Sequence, residues 1–151
     1  MAFDGTLINS ANNDDELTKV YTTTQINDSS VISLQTGAAI TDVRCRAVKF
    51  NSSGAIVLAG AGDAPFGVGI ITNDVGTASG AFVDVQYKNI GLVYAGGAIA
   101  KGAAISAGAN GVLVAATASS PVVGVALEAA PAAGVYIKAL LTMGKGVVPT
   151  E

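Results

Sequence analysis

From Val31 onward, short apolar runs alternate with turn residues along the whole chain. Apolar runs of four to eight residues bounded by Gly, Asn, Ser or Pro predict strands, and no long segment carries the 3.6-residue period of an amphipathic helix. The pattern places strands over residues 31–35, 42–50, 55–58, 66–72, 81–87, 90–94, 103–106, 112–115, 122–127 and 134–141. Asn51-Ser52-Ser53-Gly54 and Asn110-Gly111 read as hairpin turns, because Asn and Gly tolerate positive φ. Val43-Arg44-Cys45-Arg46-Ala47 alternates strictly, and Val48-Lys49-Phe50 shifts phase, which predicts a bulge within one strand. The expected fold is all-β, a small clip-like or barrel-like domain.

The pattern also repeats. Gly54-Ala55-Ile56-Val57-Leu58 matches Gly111-Val112-Leu113-Val114-Ala115. Phe66-Gly67-Val68-Gly69-Ile70 then matches Val123-Gly124-Val125-Ala126-Leu127, and Gly80-Ala81-Phe82-Val83-Asp84-Val85 matches Gly134-Val135-Tyr136-Ile137-Lys138-Ala139. Three matched pieces in one order predict two similar β units within one domain rather than a solenoid. In this alignment Asp84 and Lys138 correspond, each two residues after an aromatic. Alternation then puts Val83, Val85, Ile137 and Ala139 on the core face.

Residues 1–30 have a different character. They hold Asp4, Asp14, Asp15, Glu16 and Asp28 against Lys19 alone, whereas the rest of the chain has six acids and seven bases. Asn13-Asp14-Asp15-Glu16 has the form of a helical start, with Asn13 as cap and Glu16 three residues on, but Thr22-Thr23-Thr24 argues against continuation. The large apolar residues here, Phe3, Leu7, Ile8, Leu17, Val20, Tyr21 and Ile26, are too dispersed to build a core. The segment reads as an extended arm that orders on a partner's surface. Residues 31–151 form the β-rich body.

Composition narrows the function classes. Half the residues are apolar, only 5% are aromatic, and there is no Trp. That supply suits close chain packing rather than an aromatic-lined ligand pocket. A chain so apolar, with 13% charged residues, calls for surface buried against partners. The weakly charged stretch from Ile90 to Gly111 is broken by Lys101 and several glycines, so no membrane span is expected. No secretory signal is expected either. A net charge of −3 without a basic run offers nothing to nucleic acid. There is no His, which removes His-dependent triads, Cys–His pairs and His metal ligands. Asp14, Asp15 and Glu16 read as a solvated cluster, not a calcium loop. Gly67-Val68-Gly69 and Gly144-Lys145-Gly146 lack the rest of a dinucleotide or phosphate loop. Cys45 is alone. Arg44 and Arg46 would depress its thiol pKa, but in a strand they face away, so Cys45 reads as core filler. No cofactor, no metal and no enzymatic activity are expected.

From Gly96 to Leu141 the chain resembles the capsid-decoration (cement) proteins of tailed bacteriophages, of β-clip or lambda-type head-decoration form. The resemblance lies in the entry turn Gly97-Ala98-Ile99-Ala100-Lys101-Gly102, then Gly111, then Val123-Gly124-Val125-Ala126-Leu127-Glu128-Ala129-Ala130, then Gly134-Val135-Tyr136-Ile137-Lys138-Ala139-Leu140. Where that family often has an acid and aromatics after the entry glycine, this chain has Ala103, Ala104 and Ile105. The resemblance implies Gly54, Gly102, Gly111 and Gly124 as fold-motif turns. It implies a homotrimer bound to the major capsid protein on the outer surface of a virion assembled in the host cytoplasm, stabilising the shell. The alternatives are a head-fibre base, a β-clip module for carbohydrate or receptor on the virion, and another tail or minor head part. Only four Tyr are available to stack on sugars.

Overall fold

The computed structural model describes residues 30–143. The arm, with Phe3, Leu7, Ile8, Leu17, Val20, Tyr21 and Ile26, lies outside the described residues, as does the Asn13–Glu16 helical start.

The described residues form an all-β body. Its strands are β1 (Val31–Gln35), β2 (Ile40–Asp42), β3 (Ala47–Phe50), β4 (Ile56–Leu58), β5 (Gly67–Gly69), β6 (Val75–Thr77), β7 (Phe82–Gln86), β8 (Asn89–Tyr94), β9 (Ala104–Ala107), β10 (Leu113–Ala115), β11 (Val122–Ala126) and β12 (Tyr136–Leu141). They make two five-stranded antiparallel sheets and a two-stranded one, β2–β6, and none closes into a barrel.

The two large sheets are the two units that the repeat predicts. Their strand orders are β1-β7-β5-β3-β4 and β8-β12-β11-β9-β10, read from equivalent edges. Each strand of the first large sheet thus has its counterpart in the second. Details recur as well. One parallel bridge joins Thr36 to Ile56, and another joins Ala95 to Leu113. The Thr36 N–H donates to Ala81 C=O, and the Ala95 N–H to Val135 C=O, both at 2.8 Å. The Ile40–Thr77 pairing of β2 and β6 shrinks in the second repeat to a single Ile99–Ala130 bridge.

Each repeat has its own aliphatic core, because alternation turns one face of its strands inward. Ile40, Val43, Val48, Ile56, Val83 and Val85 fill the first. Val93, Ile99, Ile105, Leu113, Val123, Ile137, Ala139 and Leu141 dominate the second. Val83, Val85, Ile137 and Ala139 are all buried, as the register argument requires. Burying a Leu, Ile or Val side chain contributes roughly 1.5–3 kcal/mol, so these residues carry most of the stabilisation.

The repeats join through β3, whose two faces are both covered. Val48 faces the first core, while Ala47, with Ala59 and Val68, belongs to the second. Two backbone bonds cross between the repeats: Tyr94 N–H to Cys45 C=O at 2.8 Å, and Gly111 N–H to Ala59 C=O at 2.7 Å.

The expected single strand over 42–50 is corrected. Residues 43–46 form a tight turn in which Cys45 has φ of +57° and Arg46 N–H donates to Val43 C=O at 3.2 Å. The reversal breaks the phase that a bulge would have explained. Its counterpart turn in the second repeat centres on Gly102, φ +84°, where the left-handed region costs glycine little. β6 was not expected, because Asp74, Gly76 and Thr77 read as loop residues and Gly76 has positive φ.

Candidate interaction surfaces

Three pairs of ionisable side chains in the body are local: Arg44 with Asp42, Lys49 with Asp63 and Lys138 with Glu128. Arg44 makes a bidentate pair with Asp42 (2.9 Å for both contacts), and Lys49 meets Asp63 at 2.7 Å. Each hydrogen bond holds its aspartate below the ordinary value. Cys45 is fully buried, and burial pushes its thiol up to about 11, overriding the opposite pull of Arg44 and Arg46. A thiol so raised is a poor nucleophile at neutral pH. Among the described residues no group of three or more Cys, Asp or Glu could hold a metal ion, and no helix is long and apolar enough to cross a membrane.

The residues singled out as turns fall in two classes. Gly54, Gly102 and Gly111 sit in turns with positive φ. Gly124 does not. It lies in β11, beside the register shift between Val122 and Gly124, and a Cβ there would collide with the backbone oxygen of Leu140. Gly124 is glycine because β12 approaches closely, not because the chain turns.

What distinguishes the surface is the outward face of the second repeat. In the β8–β12 ladder Ile90 pairs with Leu140, Leu92 with Lys138, and Tyr94 with Tyr136. Ile90 is 58% exposed, Tyr136 and Leu140 42%, and Leu92 38%. Lys138 crosses this stripe, its backbone N–H donating to Glu128 Oε2 at 3.0 Å and its ammonium 3.5 Å from Glu128 Oε1. At one end the Tyr94 and Tyr136 rings meet edge to face, centroids 5.0 Å apart, and the Arg46 guanidinium lies 4.5 Å over Tyr94. The equivalent face of the first repeat is polar. Ser33 hydrogen-bonds Asp84, Gln35 Nε2 donates to Gly80 C=O at 2.9 Å, and Gln86 Nε2 donates to Lys88 and Ile90 C=O. Phe82, 70% exposed, is its one large apolar residue besides Val31.

The sequence carried a signal for this stripe that alternation alone does not read. Ile90-Gly91-Leu92-Val93-Tyr94 is apolar at every position, so both faces of an edge strand are apolar and one of them must stay uncovered within the chain. A second apolar surface is an open groove of about 460 Å³ lined by Pro65, Phe66, Tyr87, Leu141 and Met143, among others.

This arrangement of strands has a counterpart among solved structures. The chain is similar to the crystal structure of the head fiber gp8.5 N base in bacteriophage phi29, with 20% identity, a TM-score of 0.56, and coverage of 74% of this chain and 92% of that one. The two share a fold. No family model matches this chain, and no curated protein does.

Proposed function

We propose that this chain is a non-enzymatic structural protein of a tailed-phage virion, a homotrimer bound to the major capsid protein on the outer surface of the head. The observation that carries the reading is the fold shared with a phage head-fibre base over nearly all of that chain. The motifs of residues 97–140 that resemble capsid-decoration proteins support it independently. So does the apolar stripe of Ile90, Leu92, Tyr136 and Leu140, since a contiguous exposed apolar face marks a chain that works against other protein. In this reading the acidic arm, residues 1–30, supplies an extended contact to capsid or neighbour through Phe3, Leu7, Ile8, Leu17, Val20, Tyr21 and Ile26.

Two versions differ in what the trimer does. As a cement protein it stabilises the shell. As a head-fibre base, the version favoured by the nature of the structural neighbour, it anchors a further appendage. Co-sedimentation of the purified full chain with heads that lack it tests the shared claim, with saturable binding expected. Heat resistance of loaded and unloaded heads then separates the versions. A cement protein raises the temperature of genome release, and a fibre base leaves it unchanged. Failure to co-sediment at micromolar concentration contradicts both.

A further inference from the structure

Within the chain, the second repeat seats on the first through a socket and a plug. The socket is Ala47, Ala59 and Val68, all fully or almost fully buried, together with the C=O groups of Cys45 and Ala59. The plug is the turn at Asn110–Gly111 and the end of β8, which donate the Gly111 and Tyr94 N–H groups. Gly111, at φ +73°, comes so close that a Cβ would lie 2.6 Å from the Ala47 carbonyl oxygen. Small apolar residues in the socket permit that approach.

Both halves of this device recur, the socket on the second repeat and the plug on the first, although there the Gly54 N–H closes its own turn on Asn51 C=O at 3.1 Å. Where the first repeat has Ala47, Ala59 and Val68, the second has Ala104, Ala116 and Val125, the same three residue types. The register matches too: Val125 pairs with Ala104 as Val68 pairs with Ala47. All three are only half-buried in the second repeat. The C=O of Gly102, counterpart of Cys45, accepts no hydrogen bond among the described residues. The plug recurs in the first repeat. Gly54, counterpart of Gly111, has φ of +76° with nothing within 4 Å of where a Cβ would be. Gln35 is the counterpart of Tyr94. Thr36 exchanges both backbone bonds toward β7, with Ala81 and Gly80, so by antiparallel alternation the Gln35 N–H points away from the sheet.

We infer that the socket on the second repeat of one copy receives the plug on the first repeat of another copy of this chain, repeating between chains the contact made within each. The occupant is a second copy because the chain already carries, at the equivalent positions, a turn whose glycine has positive φ and a strand end whose N–H points outward. Gln35 N–H then meets Gly102 C=O, and the Asn51–Gly54 turn covers Ala104, Ala116 and Val125. Such a contact is head-to-tail, so it either closes into a ring or runs on as a filament. Each copy brings two β units, and a closed trimer therefore presents six in a ring. The inference rests on the oligomeric part of the reading above and names the surface that forms it.

The test is sedimentation velocity of the full chain at micromolar concentration, with two variants. Val125→Glu puts a charge in the socket. Gly54→Asn puts a side chain on the plug tip, where the space is open and Asn tolerates positive φ. The expected result is a trimeric wild type and variants that are monomeric, at least tenfold weaker in assembly, with wild-type circular dichroism. If Val125→Glu misfolds, Gly54→Asn decides. Folded variants that remain trimeric overturn this interface and leave the trimer standing. A monomeric wild type overturns both. A wild type that forms filaments, abolished by both variants, supports the contact and contradicts the trimer.

Discussion

The two repeats share strand order, turn positions and core register, yet they differ where they face outward. Val83 and Val85 of the first repeat correspond to Ile137 and Ala139 of the second, and all four are buried. Asp84, Ser33 and Gln86 correspond to Lys138, Leu92 and Leu140, polar or charged on one side and largely apolar on the other. Inward positions are constrained by the neighbour across the core, and that constraint is the same in both units. Outward positions are constrained only by what the surface meets. The divergence of the outer faces therefore separates what the fold requires from what it leaves free.

The sharpest way to break this comparison is to delete equivalent core volume. Ile56→Ala and Leu113→Ala each remove a fully buried side chain and should each cost about 2–5 kcal/mol. Because Ala47, Ala59 and Val68 belong to the second core, both variants should lower one shared transition in urea denaturation. Two separate transitions would show that the repeats are independent folding units.

Next come the strand glycines. Gly67 and Gly124 hold equivalent positions against the backbone of β7 and β12, and a Cβ at Gly67 would lie 2.7 Å from Gln86 O. Alanine at either should cost about 1–3 kcal/mol by overpacking, with Gly124 the worse because the atoms it meets are all backbone. Thermal melts of the two variants check the order.

The turn pair gives a smaller, signed effect. Gly102→Ala forces a side chain into positive φ and should cost about 1 kcal/mol. Cys45→Gly relieves the same conformation while losing a buried thiol, so the two changes should offset to within about 1 kcal/mol. A Cys45→Gly variant destabilised far beyond its partner would show that the thiol is held there for packing alone.

The smallest effect is acid sensitivity. Hydrogen bonds from Arg44 and Lys49 lower the folded-state pKa of Asp42 and Asp63 below the ordinary 3.8. Their contribution is present above 3.8 and lost as pH falls through the lowered values. Both pairs are partly solvent-exposed, so screening keeps the loss small. Melting temperature should fall more steeply below pH 4 for the wild type than for the Asp42→Asn, Asp63→Asn double variant. Parallel curves would remove these pairs from the account.

Much of this fold was legible because short apolar runs between Gly and Asn turns report strands directly, and because the matched pieces at Gly54 and Gly111 report the duplication. The Asp84–Lys138 equivalence followed from that alignment. The turn at Cys45 was not legible, since Val43-Arg44-Cys45-Arg46-Ala47 alternates as a strand does, and the bonds that hold the left-handed cysteine, its N–H to Gly69 C=O and its C=O from Tyr94 N–H, are tertiary. Gly124 was misread as a turn because glycine in a close-packed strand and glycine in a turn look alike along the chain. Ile90, Leu92 and Leu140 were not singled out, because which face of an edge strand stays open depends on how the second sheet packs. The arm's acidity and dispersed apolar residues are plain in the sequence, but those positions lie outside the described residues.

The most direct measurement is cryo-electron microscopy of the parent phage head, reconstructed with and without this protein. The account predicts added density outside the shell, with threefold symmetry, into which three β bodies fit. Heads that are identical with and without the protein, or density confined to the interior or the tail, would contradict it.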